Sequence, residues 1–186
     1  MNSIKSKRLG IAVIAVLCAL IIALTVLIIL EATGVLYPDE EVVITPPKRS
    51  GSAPVTEGAY TYAALTDGTV MITATNLSAD TAEILIPDTL GGCRVSAIGE
   101  SAFALISGMQ TVRIPEGVTY IGANAFFGAL NARLYLPSTV RQIDVNAFAG
   151  FDEPAGVYFA GSAEEWNEVR LGDGNTALSR VVFSVK

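Results

Sequence analysis

The chain has 186 residues, 51% hydrophobic and 16% charged, enough for one domain and an additional apolar segment. Its 12 Lys and Arg against 18 Asp and Glu give a formal net charge of −6, which disfavours nucleic acid as a partner. The absence of His excludes Ser-His-Asp and Cys-His catalytic sites and His-ligated zinc.

The N-terminal segment has the pattern of a membrane anchor. The run Ile11–Leu30 carries no charge, and as a helix it spans about 30 Å, the thickness of a bilayer core. Basic residues precede this run and acidic residues follow it, so the positive-inside rule predicts a cytoplasmic tail at 1–10 and a transmembrane helix at 11–30. The predicted localisation is the plasma membrane, as a single-pass protein with an extracellular C-terminal part.

Two other interpretations of this segment remain open. The small residues Ala32–Gly34 would suit a signal peptidase, although the apolar run is longer than an ordinary signal peptide requires. A lipid anchor at Cys18 is disfavoured because the large Leu17 precedes the cysteine. An uncleaved signal-anchor is therefore the favoured prediction.

Residues 31–57 are predicted to form an extracytoplasmic linker. The tract Thr45–Pro54 is rich in turn formers and has little to bury, while Val42–Ile44 would alternatively suit an edge strand. Setting aside the three basic residues at positions 5, 7 and 8 leaves nine of 12 basic side chains against 18 acidic ones, so residues 31–186 carry −9. Cys93 is the only cysteine there, which excludes an intramolecular disulfide in this part.

The next segment, residues 58–80, has the pattern of a β-hairpin. Tyr60–Leu65 and Thr69–Thr75 are rich in aromatic and β-branched residues, and Asp67 and Gly68 lie between them as turn formers. We expect this hairpin to cover the open end of the units that follow, because a stack of repeats needs an atypical unit at each end.

Residues 81–160 repeat. The hexads Ile98–Phe103, Ile121–Phe126 and Ile143–Phe148 recur at intervals of 23 and 22 residues, which is typical of a solenoid. Each hexad is preceded by an apolar-x-apolar-Pro unit that predicts a short strand with two inward side chains, ended by its proline. These units predict short parallel strands along one side of the stack, with each Ala-Phe pair buried in the core.

These motifs resemble the BspA-like leucine-rich repeats of bacterial surface proteins, over about residues 60–186. The resemblance implies a leucine-rich repeat solenoid with irregular or short-helical returns, the hairpin as its entry unit and Val157–Val169 as its last coil. It also implies a non-catalytic surface role in adhesion or protein binding. Asp144 departs from the pattern by replacing the glycine of the repeat, and the second repeat interval is one residue shorter than the first, so we expect an uneven coil near residues 129–133.

Residues 161–186 are predicted to cap the solenoid. Ser162 and Glu165 form a capping-box pattern before a short helix, and Val181–Val185 is predicted to close the sheet as its last strand. Gly172–Asn175 is predicted to be a turn, because it offers too few oxygen ligands for calcium. Glycoside hydrolysis by the carboxylates near Glu164 is disfavoured, since nothing in the sequence predicts a cleft around them.

The strand positions between the inward residues are predicted to form an exposed face. One position per coil gives the row Leu85, Arg113, Tyr135, Tyr158 and Val182. We take the central three as candidate binding residues, flanked by Thr111 and Arg133, because Tyr and Arg are frequent anchors in protein interfaces. The alternative is that these side chains only stabilise one another across the sheet.

The sequence therefore predicts a membrane-anchored surface protein that binds an extracellular protein or glycan, with no catalysis, no metal and no cofactor. The alternative hypothesis is a structural role, as an assembly partner of another cell-envelope protein.

Overall fold

The computed structural model describes residues 45–129, 132–151 and 156–183. The predicted cytoplasmic tail 1–10, the transmembrane helix 11–30 and the strand alternative at 42–44 lie outside these residues, as does most of the linker. Within the described ranges, no helix is long and apolar enough to cross a membrane. The anchor at 11–30 accordingly stays a prediction.

The described residues form thirteen short strands, one α-helix and one 3-10 helix. In chain order these elements are β1 (Val55–Glu57), β2 (Tyr60–Ala64), β3 (Val70–Thr75), β4 (Glu83–Leu85), β5 (Thr89–Leu90), β6 (Cys93–Ile98), β7 (Thr111–Arg113), β8 (Tyr120–Ile121), β9 (Arg133–Leu136), β10 (Gln142–Ile143), β11 (Gly156–Phe159), α1 (Ala163–Asn167), β12 (Arg170–Leu171), the 3-10 helix (Thr176–Arg180) and β13 (Val181–Phe183).

The first sheet contains one strand from each successive coil. Its order is β4, β7, β9, β11 and β13, and every neighbouring pair is parallel. The first inward position of each strand pairs with the same position of the next coil, giving the row Ile84, Val112, Leu134 and Val157, all at most 1% exposed. The prediction of short parallel strands with two inward side chains is confirmed.

The returning half of each coil differs from the sequence-based expectation. The returns were predicted to be irregular or short-helical, whereas β6, β8, β10 and β12 form a second parallel ladder there. Three of these four strands are only two residues long, too short for an alternating pattern to be visible in the sequence. They form because each coil hydrogen-bonds to the next one at the same position.

The repeated Ala-Phe pairs lie in the core, as predicted. The Phe103 and Phe126 rings stack with centroids 5.0 Å apart, and Phe126 and Phe148 stack at 5.2 Å, with interplanar angles of 8° and 3°. Each of these rings is at most 1% exposed. Since no single coil buries its own phenylalanine, this column ties the coils together.

The turn before each Ala-Phe pair uses a left-handed backbone conformation. Ser101, Asn124 and Asn146 have φ of 57°, 55° and 57°, and Gly174 at the same place in the last coil has φ of 77°. Backbone hydrogen bonds link these turns from coil to coil. The predicted irregularity at residues 129–133 falls partly outside the described residues.

At the N-terminal side, β2 pairs antiparallel with both β1 and β3, and β3 continues the second sheet by pairing in parallel with β6. β1 lies within residues 31–57, so the predicted linker contains a strand at its end. Tyr60 packs against the Phe103 ring at a centroid distance of 6.2 Å, and its hydroxyl donates a hydrogen bond to the Leu85 carbonyl at 3.0 Å. These contacts place Tyr60 at the N-terminal end of the phenylalanine column.

The C-terminal residues contain the predicted capping box. Ser162 Oγ accepts a hydrogen bond from the Glu165 amide at 3.2 Å, and Glu165 Oε2 accepts one from the Ser162 amide at 2.8 Å. β13 lies at the edge of the first sheet and is described through Phe183. The prediction that a strand near residues 181–185 closes this sheet is confirmed for the described part.

The side chain of Asn175 makes backbone contacts that the predicted turn at residues 172–175 did not include. The amides of Phe103 and Phe126 donate to backbone carbonyls of the next coil, whereas the Phe148 amide donates to the Asn175 side-chain Oδ1 at 3.0 Å. The Asn175 side-chain nitrogen donates to the carbonyls of Asp144 and Gly172 at 2.8 and 2.7 Å. One side-chain amide oxygen therefore takes the place of the backbone carbonyl that accepts this bond in the two preceding coils.

Candidate functional site

The predicted exposed row exists in register on the first sheet. Leu85 pairs with Arg113, Arg113 with Tyr135, Tyr135 with Tyr158, and Tyr158 with Val182. We call these five residues the central row. Leu85 and Val182 at its ends are 56% and 52% exposed, and the two tyrosines are half-buried.

Three side chains of the central row form one stack. The Tyr135 and Tyr158 rings lie with centroids 5.0 Å apart and an interplanar angle of 14°. The guanidinium carbon of Arg113 lies 4.0 Å from the centroid of the Tyr135 ring, which is cation–π geometry. Parallel strands in register repeat at about 4.8 Å, close to the stacking distance of two rings, so the sheet itself aligns these groups.

Gly156 leaves room for the ring of Tyr158. A Cβ atom at this glycine would lie 2.7 to 2.9 Å from three atoms at the end of the Tyr158 side chain, and the glycine has φ of +151°. The sequence alone did not single out this residue. The sequence did offer a signal, because this glycine lies one position before an inward strand residue and two positions before the outward-facing Tyr158.

The other outward position of each strand forms a flanking row. Glu83, Thr111, Arg133 and Gly156 pair in this order across the sheet. Thr111 and Arg133 therefore lie beside the central row as predicted, one residue before Val112 and Leu134. Glu83 was missed, although its place before Ile84 follows the same rule.

Glu83 contacts the stack through Arg113. Its Oε1 lies 4.0 Å from Arg113 Nε, with the two side chains 58% and 51% exposed. An exposed ion pair at this distance contributes little to stability. It nevertheless orients the Nε edge of the guanidinium toward the flanking row.

A pocket of about 270 Å³ lies beside the stack. Its lining includes Arg113, Tyr135, Tyr158, Pro137 and Ala160. Ala160 stands where the two preceding coils have Pro115 and Pro137, and the smaller side chain leaves space next to Tyr158. The volume is slightly below the usual range for small-molecule sites, so the pocket suits one side chain of a partner.

Glu116 also lines this pocket, but its carboxylate is already engaged. Its oxygens accept hydrogen bonds from the Ser138 backbone amide at 3.1 Å and from the Ser138 hydroxyl at 3.2 and 3.3 Å. Among the described residues, the exposed charges around the stack are those of Glu83 and Glu116 against Arg113 and Arg133, because bonds from the neutral Ser138 leave the charge of Glu116 in place.

The carboxylates weighed for catalysis lie elsewhere, on or next to α1. Glu164, Glu165 and Glu168 are all exposed, and Glu165 is used by the capping box. The pKa of Glu164 is lowered by hydrogen bonds from its own backbone amide and from Ser162, the opposite of what a general acid requires. Among the described residues, no three His, Cys, Asp or Glu side chains gather where they would hold a metal ion.

A second polar cluster lies on the outer face of the second sheet. The Tyr120 hydroxyl donates to Asp144 Oδ2 at 2.5 Å, and Gln142 Nε2 donates to Asp144 Oδ1 at 2.6 Å. Burial, and then the bond to Asp144, raise the pKa of Tyr120 well above its ordinary value. This cluster explains how the coil accommodates Asp144 where neighbouring coils have glycine.

One family model agrees with this repeat architecture. The family model described as the BspA type leucine rich repeat region matches residues 79–182 in six copies. A crystal structure of a leucine-rich repeat protein from Bacteroides capillosus is similar, with 22% sequence identity and a TM-score of 0.42, covering 72% of this chain and all of the other. Among curated proteins, none matches the chain significantly.

Proposed function

Because the chain belongs to the BspA-type leucine-rich repeat family, whose repeat domains generally bind proteins, we propose that it is a non-catalytic binding protein of the cell surface. The observation that carries this proposal is the stack of Arg113, Tyr135 and Tyr158 on an exposed sheet face. Repeat domains of this type usually present their ligand surface on such an extended face. The ligand in this proposal is an extracellular protein, held first by the central row.

The stack is organised before a partner arrives. Each tyrosine ring is held by its neighbour, and the Arg113 side chain is held between Tyr135 and Glu83. Ordering flexible side chains costs about 0.5–1.5 kcal/mol each on binding, and a pre-formed stack avoids part of this cost. The same contacts would serve as a purely structural cross-strand column, so binding and stability must be measured separately.

The surface location rests on the sequence of the N-terminal segment. The apolar run 11–30 supports a single-pass anchor. The basic residues before this run support a cytoplasmic location for residues 1–10 and an extracellular location for the repeat domain. Adhesion follows if many copies on one cell act together, since a face of five short strands offers a small contact area.

The experiment uses the full chain, purified in detergent, on arrays of extracellular proteins and glycans. The test variant carries Arg113→Ala, Tyr135→Ala and Tyr158→Ala. The matched control carries Arg49→Ala and Phe127→Ala, which remove an exposed arginine and an exposed aromatic ring outside the first sheet. Far-UV circular dichroism checks that each variant is folded.

We expect a specific protein signal that the test variant loses and the control keeps. A signal of equal strength in both variants would show that the central row is not the binding surface. Silence on all arrays, together with a defined oligomer of the full chain, would instead favour an assembly role within the cell envelope. Protease treatment of intact cells tests the orientation, because an extracellular repeat domain should be cleaved from outside.

A further inference from the structure

The last strand of the first sheet has an edge without a strand partner. β13 pairs with β11 on one side, and it has no second strand neighbour in the part of the chain that the structure describes. An edge strand presents a row of backbone amides and carbonyls that pair readily with another chain. A strand from a second molecule is therefore able to extend the first sheet at β13.

β13 also lacks the features by which proteins usually protect an edge strand. Its three residues, Val181, Val182 and Phe183, include no charge and no proline, and they pair with β11 without a bulge. The side chains of Val182 and Phe183 are 52% and 37% exposed. An exposed apolar edge strand of this kind is a typical site of pairing between chains.

The strands at the other three ends of the two sheets are less suited to such pairing. β1 carries Glu57, β4 carries Glu83 and β12 carries Arg170. Charged side chains on an edge strand disfavour its pairing with another chain. At β4, the Leu85 carbonyl also accepts the hydrogen bond from the Tyr60 hydroxyl at 3.0 Å. Head-to-tail stacking of copies, with β13 of one on β4 of the next, is therefore disfavoured.

Two β13 strands complement each other in an antiparallel pair. When Val182 lies opposite Val182 of a second copy, Phe183 of each molecule lies opposite Val181 of the other. These two residues share one face of the strand, and the Phe183 ring already contacts Phe159 at a centroid distance of 6.5 Å. Aromatic and β-branched residues form favourable cross-strand pairs. Within the three residues of β13, this register brings no like charges together.

We propose that two copies of the protein associate through antiparallel β13 strands about a two-fold axis, which joins their first sheets into one sheet with five strands from each copy. A second copy is the occupant of this edge because it brings an uncharged strand whose side chains match in the register described. The two central rows then lie end to end, so the pair presents twice the exposed face. The contact is small, and we expect a concentration-dependent dimer. This inference is independent of the ligand and goes beyond the proposed function.

The test is disulfide cross-linking of the full chain in mild detergent, because a covalent bond traps even a weak dimer. Directly opposed residues of antiparallel strands have Cα atoms about 4.5–5.5 Å apart, which is within the range for a disulfide. The test variant is Val182→Cys in a background where Cys18→Ser and Cys93→Ser remove the natural thiols. The matched control is Leu85→Cys in the same background, because Leu85 lies at the other end of the central row and is similarly exposed, at 56%.

We expect the Val182→Cys protein to form a cross-linked dimer at least about tenfold faster than the Leu85→Cys protein, because pairing raises the effective concentration of the thiol. Adding Phe183→Lys, with folding checked by circular dichroism, should slow this cross-linking at least about fivefold, since an edge lysine opposes pairing.

Three results would overturn the proposal. Equal or slower cross-linking of the Val182→Cys protein would show that copies meet by collision or through another segment, such as the predicted anchor. An unchanged rate with Phe183→Lys would show that β13 does not form the contact. If a mixture of the two cysteine variants forms the mixed disulfide fastest, the copies stack head to tail.

Discussion

Asn175 is expected to be a main determinant of stability at the C-terminal end of the solenoid. The side chain is 9% exposed and makes three hydrogen bonds to backbone groups, with Phe148, Asp144 and Gly172. Asn175→Leu keeps the approximate volume but removes all three bonds. The Phe148 amide and the Gly172 carbonyl then lose their partner, while the Asp144 carbonyl keeps its bond from the Ala147 amide at 3.3 Å.

The expected cost follows from the number of bonds. A hydrogen bond contributes about 1 kcal/mol net, and an unpaired buried group costs more, so the loss is about 3 kcal/mol. For a domain of this size that corresponds to a decrease of about 10 °C in the thermal midpoint. A substitution at the exposed neighbour Thr176→Ala should stay within about 0.5 kcal/mol.

Trp166 provides the assay, because it is the only tryptophan of the chain and packs against Phe159 with ring centroids 5.0 Å apart. Urea unfolding of the full chain in mild detergent, followed by tryptophan fluorescence, measures the free energy of unfolding of the repeat domain. If Asn175→Leu stays within about 0.5 kcal/mol of the natural chain, the three hydrogen bonds of Asn175 do not stabilise the repeat domain and the reasoning is refuted.

A second substitution tests the roles of donor and acceptor. Asn175→Asp keeps the oxygen that accepts from the Phe148 amide but places a carboxylate beside two carbonyl oxygens. Its folded-state pKa should therefore lie above the unfolded value of about 3.9. The variant should thus lose stability as pH rises through that range and approach the natural chain at low pH. A deficit independent of pH would contradict this assignment.

Three further outcomes are expected. Gly156→Ala should displace the Tyr158 ring and weaken partner binding, since the added Cβ would lie 2.7 Å from that side chain. Gly68→Ala controls for backbone strain, because Gly68 also has a positive φ but lies in open space. Equal partner binding by the two variants would refute the role of Gly156 in positioning Tyr158. Tyr120→Phe should lose less stability in alkali than the natural chain. The raised pKa of Tyr120 keeps its hydroxyl protonated in the folded state, so the contribution of this hydroxyl to stability is complete below about pH 10 and declines above it. Phenylalanine has no hydroxyl and therefore no such decline. Urea unfolding at about pH 8 and about pH 11 measures this, and identical alkaline losses would contradict it. Ser101→Asn should raise the thermal midpoint by an amount equivalent to about 0.5 kcal/mol, because asparagine tolerates φ near 57° better than serine; an unchanged or lower midpoint would count against this.

The candidate site was largely predictable because it follows from two periods. The repeat interval sets which residues meet in successive coils, and the alternation of side chains along a strand sets which of them face outward. Arg113, Tyr135 and Tyr158 were identified by this reasoning, and the sheet register places them side by side. Glu83 was available to the same reasoning and was missed.

Other features depended on contacts that sequence spacing does not show. The space beside Tyr158 depends on Gly156, and the engagement of Glu116 depends on Ser138 in the next coil. The second ladder was missed because two-residue strands carry no readable alternation.

The sequence by itself determined the repeat, the family and the inward and outward faces of the first sheet, because periodic side chains specify these features locally. Tertiary structure decided how Asn175 is bonded in the C-terminal coil and how the exposed face is organised. The Asn175 side chain takes the place of the backbone carbonyl that accepts the corresponding amide in the two preceding coils, and it also donates to Asp144 and Gly172. Arg113 forms part of a stack because Tyr135, far along the chain, lies on the neighbouring strand. Such contacts join residues from different coils, so they exist only once the coils have stacked.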